Sequence, residues 1–377
     1  MQPFIFHPGP RLVSGAGSAT RLAEHHPEGP CLFVTDREVV ALGLTEACRT
    51  ALGEVVLFDA VEADPSRETL LAAVAAGRAA GVTSVVGFGG GSPMDVAKLA
   101  AYLLGSGDNL DAIWGVGLAT GRRLPLVLVP TTAGTGSEAT PVAVITCEGG
   151  EKRGVNSPAL IADWAALDAA LTIGMPRALT AATGIDAIVH AVEAFTSARA
   201  KNPISDLYAI EALRLLSANL LTACNEPTDM AARSAMLLGA HLAGLAFANA
   251  PVAGVHALAY PLGGLHHLPH GLSNALMLRH VLKHNREAAR DDYATLAQVL
   301  EPGCAGQGSQ AQCALLIERL DALVTASGLA PRLRDHGIAQ GDIPTLAREA
   351  MKQQRLLVNN PCLIDEADAR RLYEAAW

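Results

Sequence analysis

Charge is scarce in this chain. Only 17% of its 377 residues are Asp, Glu, Lys or Arg, against roughly 25% in an ordinary soluble domain. Half are hydrophobic, and the mean hydropathy is +0.27. Such a composition buries a large core and excludes global disorder. At roughly 100–200 residues per domain, the length suggests two or three domains. No Lys/Arg block interrupts a formal net charge of −9. A phosphate-tracking surface needs clustered cations, so nucleic acid is not an expected partner. There is no C-x-x-C pair either. The seven cysteines are scattered and odd in number, which argues against a disulfide framework or a thiolate zinc site and for a reducing cytoplasm. The opening MQPFIFHPGPRLV lacks a charged segment followed by a long apolar one, so no secretory signal is expected.

Unbroken apolar runs are missing as well. Residues 234–278 contain no Asp, Glu, Lys or Arg, but His241, Asn249, Pro251, His256, Pro261, Gly263 and Gly264 interrupt them. A membrane-spanning helix needs ~18 or more consecutive apolar residues. The stretch therefore reads as deeply buried helix and loop, with no membrane expected.

What is present is organised in two halves. Apolar runs at 31–35 (CLFVT), 54–58 (EVVLF), 84–87 (SVVG), 126–129 (LVLV) and 142–146 (VAVIT) read as strands, and 66–80 between the second and third has helical spacing. Strands alternating with helix-length segments imply βαβ units and a mainly parallel sheet. Beyond Pro176 the segments 179–198, 205–223, 230–248, 276–283 and 288–300 are helical in composition and period. The expected architecture is an α/β domain over 1–178 followed by an all-helical domain over 179–377.

Residues 87–95 (GFGGGSPMD) close a strand and open a helix. Glycines let a backbone approach a pyrophosphate, and a helix N-terminus supplies N–H groups and a positive dipole end. A plain strand-to-helix turn rarely needs three consecutive glycines. Asp36, at the end of an early strand, can accept hydrogen bonds from an adenosine ribose and repels a 2′-phosphate, which favours NAD over NADP; it can equally be a helix N-cap. Residues 130–138 (PTTAGTGSE) form a second small-residue loop after a strand. It can pack under a nicotinamide or simply make a tight turn.

Asp186 and His190 lie four apart, on one helix face. Alone they read more readily as a hydrogen-bonded pair than as half a metal site. The charge-free stretch adds His241, His256, His266, His267 and His270, five of the chain's twelve histidines. Several histidines among apolar residues call for a common partner, and a divalent cation is the simplest. Asp186, His190, His256 and His270 would make an O/N₃ set suited to Fe(II) or Zn(II) as Lewis acid, with helix-held and loop-held ligands leaving a position open for substrate.

Through 89–95 (GGGSPMD), 130–138, 182–190 (ATGIDAIVH), 255–264 (VHALAYPLGG) and 268–271 (LPHG), the chain resembles the iron-containing (group III) alcohol dehydrogenases. The resemblance covers at least residues 30–285. It implies a Rossmann-like dinucleotide-binding domain and a helical domain, with NAD(P) and one metal held between them. Asp186, His190, His256 and His270 match the metal ligands. Asp36, Gly89, Gly90, Gly91, Ser92, Asp95, Thr131, Thr132 and Thr135 match dinucleotide contacts, and Lys152 is a looser match. Many members carry a second histidine four residues after the one at 256, proposed as a proton relay. Here that position is Tyr260, whose pKa near ~10 suits a base poorly unless perturbed; His267 is the other relay candidate.

The activity implied is hydride transfer between NAD(H) and a small alcohol/carbonyl pair, with the substrate oxygen on Fe(II) or Zn(II), in a cytoplasmic homodimer. Rivals on the same scaffold are a maleylacetate reductase or a 4-hydroxybutyrate-type hydroxyacid dehydrogenase. These need an Arg or Lys anchor, which 234–278 lacks and Arg153, for instance, can supply. A 3-dehydroquinate synthase-like lyase must grip a phosphate with several basic residues, and a non-catalytic NAD-binding protein would not need four ligand-type positions.

Overall fold

The computed structural model describes residues 3–377. They divide into two compact units. One spans His7–Gly174; the other joins Met175–Trp377 to the segment ending at Phe6, whose ring stacks on Tyr208 at 5.9 Å between centroids. The division falls before Met175 rather than after residue 178, because Arg177 already opens the first long helix of the second unit.

The α/β unit runs β1 (Arg11–Ser14), α1 (Ser18–Arg21), β2 (Cys31–Val34), α2 (Arg37–Ala41), α3 (Glu46–Leu52), β3 (Val55–Phe58), α4 (Arg67–Ala80), β4 (Ser84–Gly89), α5 (Gly91–Ser106), β5 (Gly115–Val116), β6 (Leu126–Pro130), β7 (Val142–Thr146), β8 (Lys152–Asn156) and β9 (Trp164–Leu167). Six strands form a parallel sheet in the order β1-β9-β6-β4-β2-β3. Side chains alternate between its two faces. Leu32, Val34, Val85 and Leu128 pack with Leu70, Val74 and Leu99 of α4 and α5. Cys31, Phe33, Val86 and Val129 pack on the opposite face with Leu22, Val39 and Cys48. Burial on both faces explains why these strands read as continuous apolar runs. Each fully buried Leu, Val or Phe contributes about 1.5–3 kcal/mol.

Four strands escape the sequence reading, β1, β5, β8 and β9, and one is placed differently. β1 and β9 pair in register Arg11↔Trp164 to Ser14↔Leu167, with about 150 residues between them. Neither four-residue segment carries a β signal strong enough to stand alone, and Ala165 and Ala166 favour helix. The run 142–146 is a strand but not part of the parallel sheet. It pairs antiparallel with β8 in a three-stranded sheet ordered β5-β8-β7. Only residues 147–151 connect β7 to β8, too few for the crossover that a parallel pair requires.

The second unit contains α6 (Arg177–Phe195), α7 (Pro203–Asn225), α8 (Met230–Asn249), α9 (Gly254–His266), α10 (His270–Asn285), α11 (Arg290–Leu300), α12 (Ser309–Ser327), α13 (Ile343–Ala350), α14 (Gln354–Leu357) and α15 (Glu366–Ala376). By length and composition alone, α6, α7 and α8 could each cross a membrane. Within the unit, 83% of the apolar window of α6 and 61% of that of α8 are buried, as suits helices that are apolar almost all round. α9 is one helix despite Pro261 inside it, which forfeits one intrahelical bond. It ends at His267, a non-glycine residue with φ of 55°.

Candidate metal centre and dinucleotide-binding turn

In the α/β unit, the chain passes from β2 to β3 on one side and returns to β4 on the other. The carboxyl ends of β2 and β4 thus flank a topological switch point, where open parallel sheets place their ligands. Asp36 follows β2 and Gly89 ends β4. Gly89 has φ of 147°, open only to glycine, and a Cβ there would meet Pro93 Cγ at 2.8 Å and Asp36 Oδ2 at 3.4 Å. Asp36 does act as an N-cap: its Oδ1 accepts from Val39 N at 2.8 Å, while Oδ2 faces the glycine turn. The first α5 ladder bond runs from Met94 N to the Gly90 carbonyl, so the amides of Gly91 and Ser92 precede the ladder. The loop after β6 lines the same turn. Thr131 N donates to the Gly89 carbonyl at 2.9 Å, and Thr132 and Thr135 stand against Gly90 and Gly91.

Two further residues from the family match have protein partners. Asp95 Oδ1 accepts from Ser137 Oγ at 2.6 Å and Oδ2 from Val144 N at 2.9 Å, so Asp95 ties α5 to the threonine loop and β7. Burial raises its carboxyl pKa, against the opposing pull of Lys98. Lys98 is wholly buried and donates to Ser137 Oγ (2.7 Å), Thr140 Oγ1 (3.2 Å) and the Val142 carbonyl (2.7 Å). Burial pushes its ammonium down to about 8, with Asp95 and Glu138 working the other way. Lys152, on β8, forms an ion pair with Asp64 at 2.6 Å.

In the helical unit, Asp186, His190, His256 and His270 each bring one ligand-type atom to within 4.8 Å of all the others. Asp186 Oδ1 lies 3.9, 3.8 and 3.6 Å from Nε2 of His190, His256 and His270 respectively. All four are on helices: Asp186 and His190 on α6, His256 in the first turn of α9, and His270 as the first residue of α10. The expected loop-held ligand is therefore helix-held. Gly271 explains its placement, since a Cβ there would collide with the Ala182 carbonyl of α6. Only glycine lets α10 approach closely enough to bring His270 beside Asp186.

This grouping fits a divalent cation. Three imidazole nitrogens and a carboxylate oxygen converge in a buried space, a costly arrangement unless a positive partner joins them. The Asn274 amide nitrogen meets three of these atoms, at 2.6 Å from Asp186 Oδ1, 3.3 Å from His256 Nε2 and 3.2 Å from His270 Nε2. Burial alone would raise the Asp186 carboxyl. The imidazoles and the Asn274 amide outweigh it and hold the group below the usual carboxylate range. Phe247 flanks His190, with ring centroids 4.5 Å apart. The open side is at His270, whose side chain is 37% exposed against 2–6% for the other three. Tyr260 stands there, its ring 5.8 Å from that of His270, and the Arg355 guanidinium lies 5.8 Å from the Tyr260 ring. His267 is exposed at the end of α9.

Sequence reasoning missed Asn274 and Glu193. Glu193 accepts from or faces three nitrogens, among them His256 Nδ1 at 2.7 Å. A helical-spacing signal existed for both: Glu193 is seven residues after Asp186, and Asn274 four after His270.

A sheet with a glycine turn at its switch point and a helical unit with an O/N₃ cluster define a class that the comparisons then specify. A model of "Iron-containing alcohol dehydrogenase" matches residues 9–169, and one of "Fe-containing alcohol dehydrogenase family, C-terminal" matches 180–377. The chain belongs to the iron-containing alcohol dehydrogenase family, and is an oxidoreductase acting on CH–OH groups. It is 40% identical over 353 residues to long-chain-alcohol dehydrogenase 1 of Geobacillus thermodenitrificans, covering 92% of this chain and 89% of that protein. A crystal structure of 1,3-propanediol oxidoreductase superposes with a TM-score of 0.95 at 32% identity, covering all of both chains. Sulfoacetaldehyde reductase from Bifidobacterium kashiwanohense, solved in complex with NAD⁺, gives 0.89 at 28% identity, covering 100% and 99%.

Proposed function

We propose that this chain is a metal-dependent, NAD-linked alcohol dehydrogenase or aldehyde reductase for a small alcohol/carbonyl pair. The observation that carries the reading is the convergence of Asp186, His190, His256 and His270 within 4.8 Å. When bound, Fe(II) or Zn(II) supplies Lewis-acid polarisation of a substrate oxygen and the nicotinamide supplies hydride exchange. The chain's own residues do the rest. Asp186 and the three imidazoles would hold the cation, and of the four side chains that of His270 is the most exposed. Asp36 binds the adenosine ribose through Oδ2, and its charge disfavours a 2′-phosphate, hence NAD over NADP. Gly89–Ser92 and the start of α5 receive the pyrophosphate, with Thr131, Thr132 and Thr135 lining the turn. Tyr260, beside His270, moves the substrate's proton; His267, exposed at its left-handed helix end, is the weaker relay. The proposed setting is cytoplasmic, in keeping with seven free cysteines, and without a membrane or nucleic-acid partner, the latter in keeping with the absence of a cationic block; the homodimer is proposed from the family resemblance.

One observation favours a second reading. Arg355 brings a cation to Tyr260, so an anionic oxoacid or sulfonate-bearing aldehyde gains an anchor that residues 234–278 lack. A panel of short aldehydes, 2-, 3- and 4-oxoacids and a sulfonated aldehyde, assayed by NADH oxidation with Fe(II) or Zn(II) restored anaerobically, separates the two. Turnover of neutral aldehydes supports the first reading; turnover confined to the acids supports the second. No NADH turnover with either metal, despite tight NAD binding, would contradict both.

A further inference from the structure

Glu193 belongs to no ligand set, yet it is among the most enclosed carboxylates in the chain, 4% exposed. It shares a face of α6 with Asp186 and His190, at seven and three residues' spacing. Its Oε2 lies 2.7 Å from His256 Nδ1 and accepts from Ala253 N at 2.8 Å, while Oε1 accepts from Val255 N at 2.6 Å. The two amides belong to the start of α9, whose N-cap Ala253 has no side chain able to cap it. Orphan amides at a helix start need an acceptor, and an anion there is further favoured by the helix dipole. Glu193 supplies that acceptor from another helix and, with the same oxygen, faces the imidazole one turn on.

We infer that Glu193 is a positioning residue that holds His256 as the Nδ1–H tautomer, so that Nε2 presents its lone pair toward Asp186 and the metal position. With amides on both sides, the carboxylate has only acceptor roles to play, so the bridging hydrogen at 2.7 Å comes from the imidazole. The neutral ring can then offer only Nε2 as a ligand. One side chain thereby couples three things: the start of α9, the orientation of the His256 ring and its tautomer. Ligating histidines are commonly steered in this way, and removing the partner typically weakens metal binding 10–100-fold.

The inference rests on the metal reading of the site, and its test separates the two. The variant is Glu193→Gln. An amide with its NH₂ in place of Oε1 loses the Val255 N–H bond, and with its NH₂ in place of Oε2 it loses the Ala253 N–H bond and reverses the His256 tautomer. Zn(II) affinity is measured by competition with a chromophoric chelator in metal-stripped protein, and the His256 tautomer by ¹⁵N NMR of histidine-labelled protein. Co(II) visible spectra report the ligand field. Expected for the wild type is saturable Zn(II) binding and, without metal, a His256 Nδ1–H signature. Expected for Glu193→Gln is Zn(II) binding 10–100-fold weaker, an altered Co(II) spectrum and unchanged NAD binding. Zn(II) affinity within twofold of wild type, with an unaltered Co(II) spectrum, would overturn the inference while leaving the metal reading standing. No saturable Zn(II) or Co(II) binding by the wild type would remove the metal reading and the inference together. Should the variant not fold, the wild-type tautomer decides alone: an Nε2–H signature at His256 in metal-stripped protein overturns the inference.

Discussion

The glycine turn of the α/β unit and the ligand cluster of the helical unit are built by opposite means. The turn is backbone and small residues: Gly89 at a φ that excludes side chains, the amides of Gly91 and Ser92 ahead of the α5 ladder, and threonines packed against them. Asp36, whose carboxylate lies near Gly89, also serves as a helix cap. The cluster is side chains throughout, drawn from three helices and buried among apolar residues. A ligand gripped by amides needs small residues contiguous in sequence. A cation needs deprotonated side chains from several directions, each oriented by a further partner.

If the two are independent, each should fail alone. The largest effect is expected from Asp186→Ala. Aldehyde-dependent NADH oxidation should fall by about a thousandfold or more, because Lewis-acid polarisation is worth several kcal/mol and each ~1.4 kcal/mol is tenfold. Fluorescence titration should find NAD(H) binding intact. Lys98→Met tests the scaffold under the turn. It leaves Asp95, whose side chain is 17% exposed, without its cation; the cost should stay below the roughly 3–5 kcal/mol of breaking a fully buried pair, readable as a lower denaturation midpoint with metal stoichiometry unchanged in the folded fraction.

A smaller and sharper effect is expected at Asp36. Asp36→Asn keeps an N-cap of equal rank but removes the charge, so the preference for NAD over NADP should shrink on the order of tenfold, about 1.4 kcal/mol. Comparing kcat/KM for NADH and NADPH checks it, and Zn(II) affinity should not move. The smallest effect concerns pH. Burial, with help from Arg279 and Lys283, pushes the His280 imidazole down to about 4 from an ordinary 6.5. Between those values the unfolded chain binds a proton there that the folded chain declines, so stability falls as pH drops from 6.5 toward 4. His280→Gln should flatten part of that acid-side slope in urea melts at pH 4.5, 5.5 and 6.5, with little change at pH 7.5.

The same contrast governs what the sequence made legible. The glycine turn, the threonine loop and Asp36 were readable because their signals are local. Asp186 and His190 were readable as a helical pair, and His256 and His270 because no charged residue surrounds them. What was missed depends on partners distant in sequence. Ala165 and Ala166 become a strand only by lying between β1 and β6. Residues 142–146 carry a strand pattern that says nothing of which sheet they join. Glu193 looks like any acidic residue on an alanine-rich helix until folding brings amides 60 and 62 positions away onto its oxygens. Nothing local to His270 says that it opens a helix: Pro269 is the N-cap of α10 and Gly271 its contact with α6.

The most direct measurement is an anaerobic titration of metal-stripped protein with Fe(II), and separately with Zn(II), following aldehyde-dependent NADH oxidation in the wild type and in Asp186→Ala. The account predicts that wild-type activity rises with at least one of the metals, levels off at one equivalent per chain, and stays at background throughout in the variant. Activity that persists without metal, or that metal restores equally in Asp186→Ala, would contradict it.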